Sequence, residues 1–330
     1  MYSIKTCIKS IIEFHKLKSI SQISQRHIKR HIRPTLIELT KRKRKLKETF
    51  SNPRNEYLEW NWNAELFAFN SRLTEKFDLE LLKQAFTHRS YIINETEKQK
   101  QVGIENPILD LVDNTEFIIE GEQIVPLIIE NYLSHALPLA PQECIYALKN
   151  YLLSTEILAK TSSCIGVKDL ILSMERHPTE ETLAKTFYAL ISALNRSVNL
   201  EHASLFVRDI LISLLVEKDL TEIWCVEDPI SILNDILSRE NKELAEPRII
   251  AQTGINTLLS VYQIAVYSNK KFLGSGIGET IEEAKNMAAL NTLHKMFGLL
   301  DSSKPIRCNL KIDDSGSKNL PLTEWRSQNA

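Results

Sequence analysis

Apolar residues recur every three or four positions from about Ala64 to Val216, then every second position in shorter runs beyond Arg248. The first spacing suits helices with one buried face, the second strands with one buried face. Segment Phe77–Phe86 (FDLELLKQAF) puts Leu79, Leu82 and Phe86 on one side of a helix. Further helices are predicted near Glu143–Thr161 and Leu200–Leu215, with Pro138, Pro141, Gly166 and Pro178 as punctuation. From Asp228 onward the pattern changes. Pro229–Arg239 predicts a helix with Ile232, Leu233, Ile236 and Leu237 inward, and Arg248–Gly254, Val261–Tyr267 and Lys271–Ser275 alternate as strands. Ser268-Asn269-Lys270 fits a hairpin turn. Thr280 with Glu283 is a capping box opening a helix through Met296, and Ala284 and Ala288, four apart, let that helix lie close to the sheet. The expected fold is multidomain: an all-α domain followed by an α-β-β-β-α domain.

Charge changes this picture at the start of the chain. The formal net charge of the 330 residues is −1, yet the first fifty carry fourteen Lys/Arg and three acids, which leaves −12 for the rest. An acidic body does not bind polyanions indiscriminately, so any nucleic-acid contact is expected to be local. The five cysteines are scattered without a CxxC pair, which points away from a zinc site or a disulfide framework and fits a reducing compartment. No apolar run approaches the ~20 residues that span a membrane.

Ile4, Ile8, Ile11 and Ile12 share a helical face, with Lys5, Lys9 and Lys16 off it and several serines between. This basic, amphipathic, acid-poor start resembles a mitochondrial transit peptide, expected over 1–30; the alternative is an ordinary basic helix. A basic extension, 31–63, follows and contains the run Lys41, Arg42, Lys43, Arg44, Lys45. Such a run is a solvated helix face, a nuclear localisation signal or an arm that binds RNA by releasing counterions from phosphates.

Candidate chemistry sits in the helical part. Ala85–Tyr91 read AFTHRSY, Asn114–Leu133 read NTEFIIEGEQIVPLIIENYL, and Ala184–Leu194 read AKTFYALISAL. Together with Leu153–Ser173 these segments resemble the ribonuclease III family, over a domain expected at 64–218. The resemblance implies a site of four acids, two on the signature helix and two on a later one, holding Mg²⁺ ions that generate and stabilise the reacting oxygens. With Gly121 at the signature glycine, the four positions fall on Ile118, Glu122, Lys185 and Tyr188. Three of the four lack a carboxylate, and an ammonium at Lys185 repels a divalent cation. The expectation is therefore no catalytic residue, no metal and no cofactor. Lys185 either pairs with Glu122 in place of the metal or reaches solvent. His88, Arg89 and Ser90 match the family and are expected to cap helices and link them by hydrogen bonds. Family enzymes dimerise through the signature helix, which implies a ribonuclease III-like dimer partner. Pro126 departs from the pattern there and should kink the helix near Glu122.

After a linker, 219–227, residues 228–298 resemble the double-stranded RNA-binding domain, most specifically in KKFLGSGIGETIEEAKNMAALNTL. Such domains read A-form shape through phosphates and 2′-hydroxyls. The resemblance places RNA contacts on Ser231 and Asn234 of the first helix and Lys285 of the last. The loop Gly254–Asn256 lacks the family's usual Pro and His, and Glu282 and Glu283 stand where lysines are usual. Carboxylates facing phosphates are repulsive. The fold signal is strong and the duplex-binding signal poor.

The order of leader, degenerate nuclease domain and RNA-binding-type domain resembles the mitochondrial large-subunit ribosomal protein L forty-four family, as does Trp60–Arg72 (WNWNAELFAFNSR). That resemblance implies the mitochondrial matrix, the large ribosomal subunit, rRNA and neighbouring ribosomal proteins as partners, and a structural role in translation. The alternatives are a free mitochondrial RNA-binding or processing factor and an active double-stranded-RNA endoribonuclease. The tail, 299–330, is polar and expected to be extended, ordered only by neighbours.

Overall fold

The computed structural model describes residues 32–42, 44, 54–57, 59–104, 109, 111–216, 218–254, 257, 259–299, 306, 310 and 319–327. The expected transit peptide, Lys43, Lys45 and residues Ile255 and Asn256 of the loop lie outside the described residues. The chain divides into two compact units, Met1–Asn52 and Pro53–Ala330. In the first, helix α1 (32–42) is exposed throughout, Ile32, Leu36, Ile37 and Leu39 included.

The second unit opens with helices α2 (Trp62–Leu73), α3 (Leu79–Phe86) and α4 (Arg89–Gln101). Each has a side-chain cap on its first turn, from Asn61, Asp78 and His88 respectively. Helix α5 (Thr115–Ala136) carries the signature and runs on through Pro126. The missing donor of the proline is tolerated because α5 is long and held by tertiary packing, with Phe117, Val125, Ile129, Tyr132 and Leu133 buried. The single helix expected over 143–161 is two, α6 (Gln142–Leu152) and α7 (Thr155–Ile165), because Ser154 takes an extended conformation between them. Helix α8 (Glu180–Ser197) is the centre of the domain, with eleven of its residues buried. Helix α9 (Leu200–Ile210) closes this half.

A short helix α10 (Leu220–Ile223), capped by Asp219, then leads to α11 (Pro229–Arg239), whose Pro229 occupies the first turn where no donor is needed. Strands β1 (Glu246–Thr253), β2 (Val261–Ser268) and β3 (Lys271–Gly278) form one antiparallel sheet in the order β1-β2-β3. The hairpin turn falls at Asn269 and Lys270, both with positive φ (50° and 62°), as a two-residue turn demands. Helix α12 (Ile281–Met296) begins with the expected capping box: Thr280 Oγ1 accepts from the Glu283 N–H, and Glu283 accepts from the Glu279 N–H. It lies on the sheet through a stripe of Gly274, Gly276 and Gly278. A Cβ on Gly276 would stand 2.2 Å from the Ala288 nitrogen, and one on Gly278 2.6 Å from that of Ala284. The small residues expected on the helix thus meet matching glycines on the strand.

One apolar core runs through both halves of this unit, from Phe69 and Phe86 to Leu293 and Phe297. Residues 319–327 of the tail depart from the expectation of order supplied only by neighbours. Trp325 is 3% exposed, and its ring meets that of Phe297 edge-on at 4.9 Å. Among the described residues, no helix is long and apolar enough to cross a membrane.

His294 on α12 is buried, its Nε2 has no hydrogen-bond partner, and burial lowers its pKa from the ordinary 6.5, with Asp219 opposing. The unfolded chain therefore takes up a proton before the native state does, and stability should fall as pH drops through about 6.5 toward the lower native value. His88 is shifted the same way, so both contribute. Thermal unfolding measured between pH 5 and 8 should show this decline, and His294→Gln should flatten it.

Candidate functional site

The site expected from the sequence lies where α5 crosses α8. The two helices touch backbone to backbone: a Cβ on Gly121 would stand 2.3 Å from the carbonyl oxygen of Tyr188. The Ser192 hydroxyl donates to the Phe117 carbonyl at 2.7 Å and ties the helices one turn further on. Residues near Gly121 and near Tyr188 are thereby brought to one place, including all four positions assigned to the acids.

What stands there is poor in anionic oxygen. Ile118 is half-buried and packs on Ala85, Phe117, Ala189 and Ala193. Glu122 is exposed. The Tyr188 phenol is pushed up to about 12, first by burial and then by the charge of Glu122, so it stays neutral at physiological pH. Lys185 is exposed and its ammonium lies 4.0 Å from Glu181, one helical turn earlier. Of the two outcomes expected for Lys185, pairing with Glu122 is not the one seen: among the described residues its ion pair is with Glu181 on its own helix, and the side chain is exposed. A side chain one turn away on the same helix is a nearer partner than one across the crossing. Among the described residues, no three or more His, Cys, Asp or Glu side chains are gathered to hold a metal ion.

Arg196 does not stand out in the sequence. Glu116 and Glu120, the remaining acids on the first half of α5, are both bound by it. Its Nη2 lies 2.6 Å from Glu116 and its Nε 2.8 Å from Glu120, and its guanidinium sits over the Phe117 ring at 4.7 Å. Asn195 adds a bond to Glu120. Two carboxylates four apart with no cation on their own helix near them were the available signal; that Arg196 answers them depends on the crossing.

His88 and Ser90 have the roles expected of them. The backbone N–H of Ser90 donates to His88 Nδ1, which caps α4. The Ser90 hydroxyl accepts from the N–H of Met174 at 3.2 Å. His88 and Thr87 pair with the Leu172 backbone as a short bridge, and Asn114 donates to the Ala85 carbonyl. The AFTHRSY segment therefore docks the start of α5 and the loop before α8 together. Arg89 is exposed.

The expected RNA contacts fall in both units. Lys41, Arg42 and Arg44 are exposed in the first unit, with Glu38 at 3.9 Å from Arg42. In the second unit Ser231 is exposed, whereas Asn234 is half-buried and its side-chain oxygen accepts from the Ala245 N–H at 3.0 Å. Asn234 thus holds the approach to β1 as well as offering an amide. Lys285 is half-buried near the start of α12, beside exposed Glu282 and a Glu283 engaged in the cap.

Because a methyl group at Gly121 meets backbone, no side chain can rotate away to admit it. Gly121→Ala should cost about 1–3 kcal/mol in urea denaturation, whereas Lys185→Ala should change stability by no more than about 0.5 kcal/mol.

Residues 61–194 match a family model described as "Large ribosomal subunit protein mL44, endonuclease domain". Residues 224–329 match one described as "MRPL44 dsRNA-binding domain". The large ribosomal subunit protein mL44 of Caenorhabditis elegans is 27% identical over 286 residues, covering 84% of this chain and 68% of that protein. Ribonuclease 3 of Lactococcus lactis subsp. cremoris is 26% identical over 222 residues, covering 66% of this chain and 90% of the enzyme. The nuclease domain of ribonuclease III from Campylobacter jejuni superposes with a TM-score of 0.37 at 19% identity, over 46% of this chain and 96% of that one. Two models of one family, matched in order along most of the chain, make it a member of the mL44 family.

Proposed function

We propose that this chain is a structural component of the mitochondrial large ribosomal subunit in the matrix, holding position among rRNA and neighbouring proteins without cleaving RNA. The observation that carries this reading is the content of the α5–α8 crossing. Of the four positions assigned to acids, Glu122 alone supplies an anionic oxygen, beside an aliphatic Ile118, an ammonium at Lys185 and a phenol that stays protonated. A hard cation needs several charged oxygens. The nearest other carboxylates on α5 are already held by Arg196. The residues present do not fit Mg²⁺.

RNA contact then falls to a few local features in an acidic body. The exposed cations Lys41, Arg42 and Arg44 suit phosphates, and Ser231, Asn234 and Lys285 offer weaker contacts on the second fold. In a large assembly such contacts add through effective concentration, so a weakened RNA-binding surface suffices. A ribonuclease III-like partner domain would meet this chain along α5, where Ile119 and Leu127 stand exposed. The membership of the chain in the mL44 family supports the same assignment.

Sedimentation of mitochondrial extracts through a high-salt sucrose gradient tests the reading. The chain should travel with the large subunit after the salt wash, and the purified protein should leave duplex RNA intact with or without Mg²⁺. A chain found near the top of the gradient would be a free factor. Mg²⁺-dependent cleavage lost on Glu122→Ala would make it an enzyme.

A further inference from the structure

Residues 319–327 touch both folds of the unit Pro53–Ala330, and they supply what each lacks. On the helical side they meet the turn between α5 and α6. Asn319 Nδ2 donates to the carbonyls of Leu137 (2.8 Å) and Ala140 (2.7 Å), at the end of α5. Helix α6 starts at Pro141, which offers no side-chain cap; its Gln142 N–H donates instead to the Leu320 carbonyl at 3.0 Å. The Leu322 N–H donates to the Glu143 carboxylate, and the Trp325 indole donates to the Leu139 carbonyl at 2.8 Å.

On the other side the same residues meet the ends of α11 and α12. Arg239 Nη1 donates to the carbonyls of Leu322 (2.9 Å) and Trp325 (3.2 Å). Glu240, whose side chain is 1% exposed, accepts the Ser327 N–H at 2.7 Å. A buried carboxylate that loses such a donor is costly. Phe297, at the end of α12, lies between the rings of Trp325 and Trp224, and Trp224 follows α10, which itself packs on α6.

We propose that 319–327 is a strap that makes the two folds one rigid body, with Trp325 as its anchor. Each polar group it satisfies belongs to one fold or the other, and its largest apolar side chain, Trp325, is buried against both. It grips α12 at the C-terminal end, about 24 Å of helix from the capping box, so the end bearing Lys285 stays open. The RNA-facing end of the second fold is thereby held at a set position relative to the α5–α8 crossing, instead of swinging on the short segment 218–228.

The test uses the full chain and two variants, Trp325→Ala and Arg239→Met, with far-UV circular dichroism to follow both folds. The wild type should unfold in one calorimetric transition and resist proteolysis within 218–228. With secondary structure retained, Trp325→Ala should split the transition in two and raise cleavage there on the order of a hundredfold. Arg239→Met keeps the indole and removes two donated bonds; it should raise cleavage roughly tenfold. A single transition and wild-type cleavage in Trp325→Ala would overturn the proposal. If that variant fails to fold, Arg239→Met decides: faster cleavage within 218–228 supports the strap, and an unchanged rate overturns it.

Discussion

Contact between two helix backbones at Gly121 sets the geometry of the helical domain. With no side chain between them, α5 and α8 approach until the carbonyl of Tyr188 fills the place of a Cβ. Everything else near the site follows from that approach. The Ser192 hydroxyl reaches the Phe117 carbonyl, Ile118 is drawn into a small cluster of alanines, and Arg196 comes within reach of two carboxylates on the other helix. The crossing is held by packing, and Ile118, Lys185 and Tyr188 beside it carry no carboxylate.

The second fold is closed by the same device. Helix α12 lies on β3 through glycines facing alanine backbone, which brings the helix closer to the sheet than larger side chains would permit. The two folds are then joined by aromatic rings. Trp224, Phe297 and Trp325 form a chain of ring contacts, and the polar groups around them are answered from the C-terminal segment. Residues 319–327 are held without helix or strand because several of their backbone groups are paired and the Trp325 side chain is buried.

Electrostatics separates the work of the two units. The basic residues are concentrated ahead of a body whose net charge is −12, and on that body the acids are spent locally: Glu116 and Glu120 on Arg196, Glu283 on a helix cap, Glu143 and Glu240 on the C-terminal segment. Carboxylates engaged in this way contribute to the stability of the fold.

Periodicity, capping residues and turn residues made the element types readable from the chain alone. Pro229–Arg239, the Thr280–Glu283 box and the Asn269-Lys270 turn are local, so each is decided by residues adjacent in the chain. That Ile118, Lys185 and Tyr188 carry no carboxylate was equally legible, because charge is a property of the residue. What required the tertiary structure was every pairing between distant segments. Arg196 with Glu116, Gly276 with Ala288, and Trp325 with Phe297 lie 80, 12 and 28 positions apart, and no local pattern announces them. The choice of Glu181 over Glu122 by Lys185, the break at Ser154 within an apparently continuous helical pattern, and the order of 319–327 were decided the same way. Free energies of burial and hydrogen bonding at these points depend on which surfaces meet, and only the folded chain brings those surfaces together.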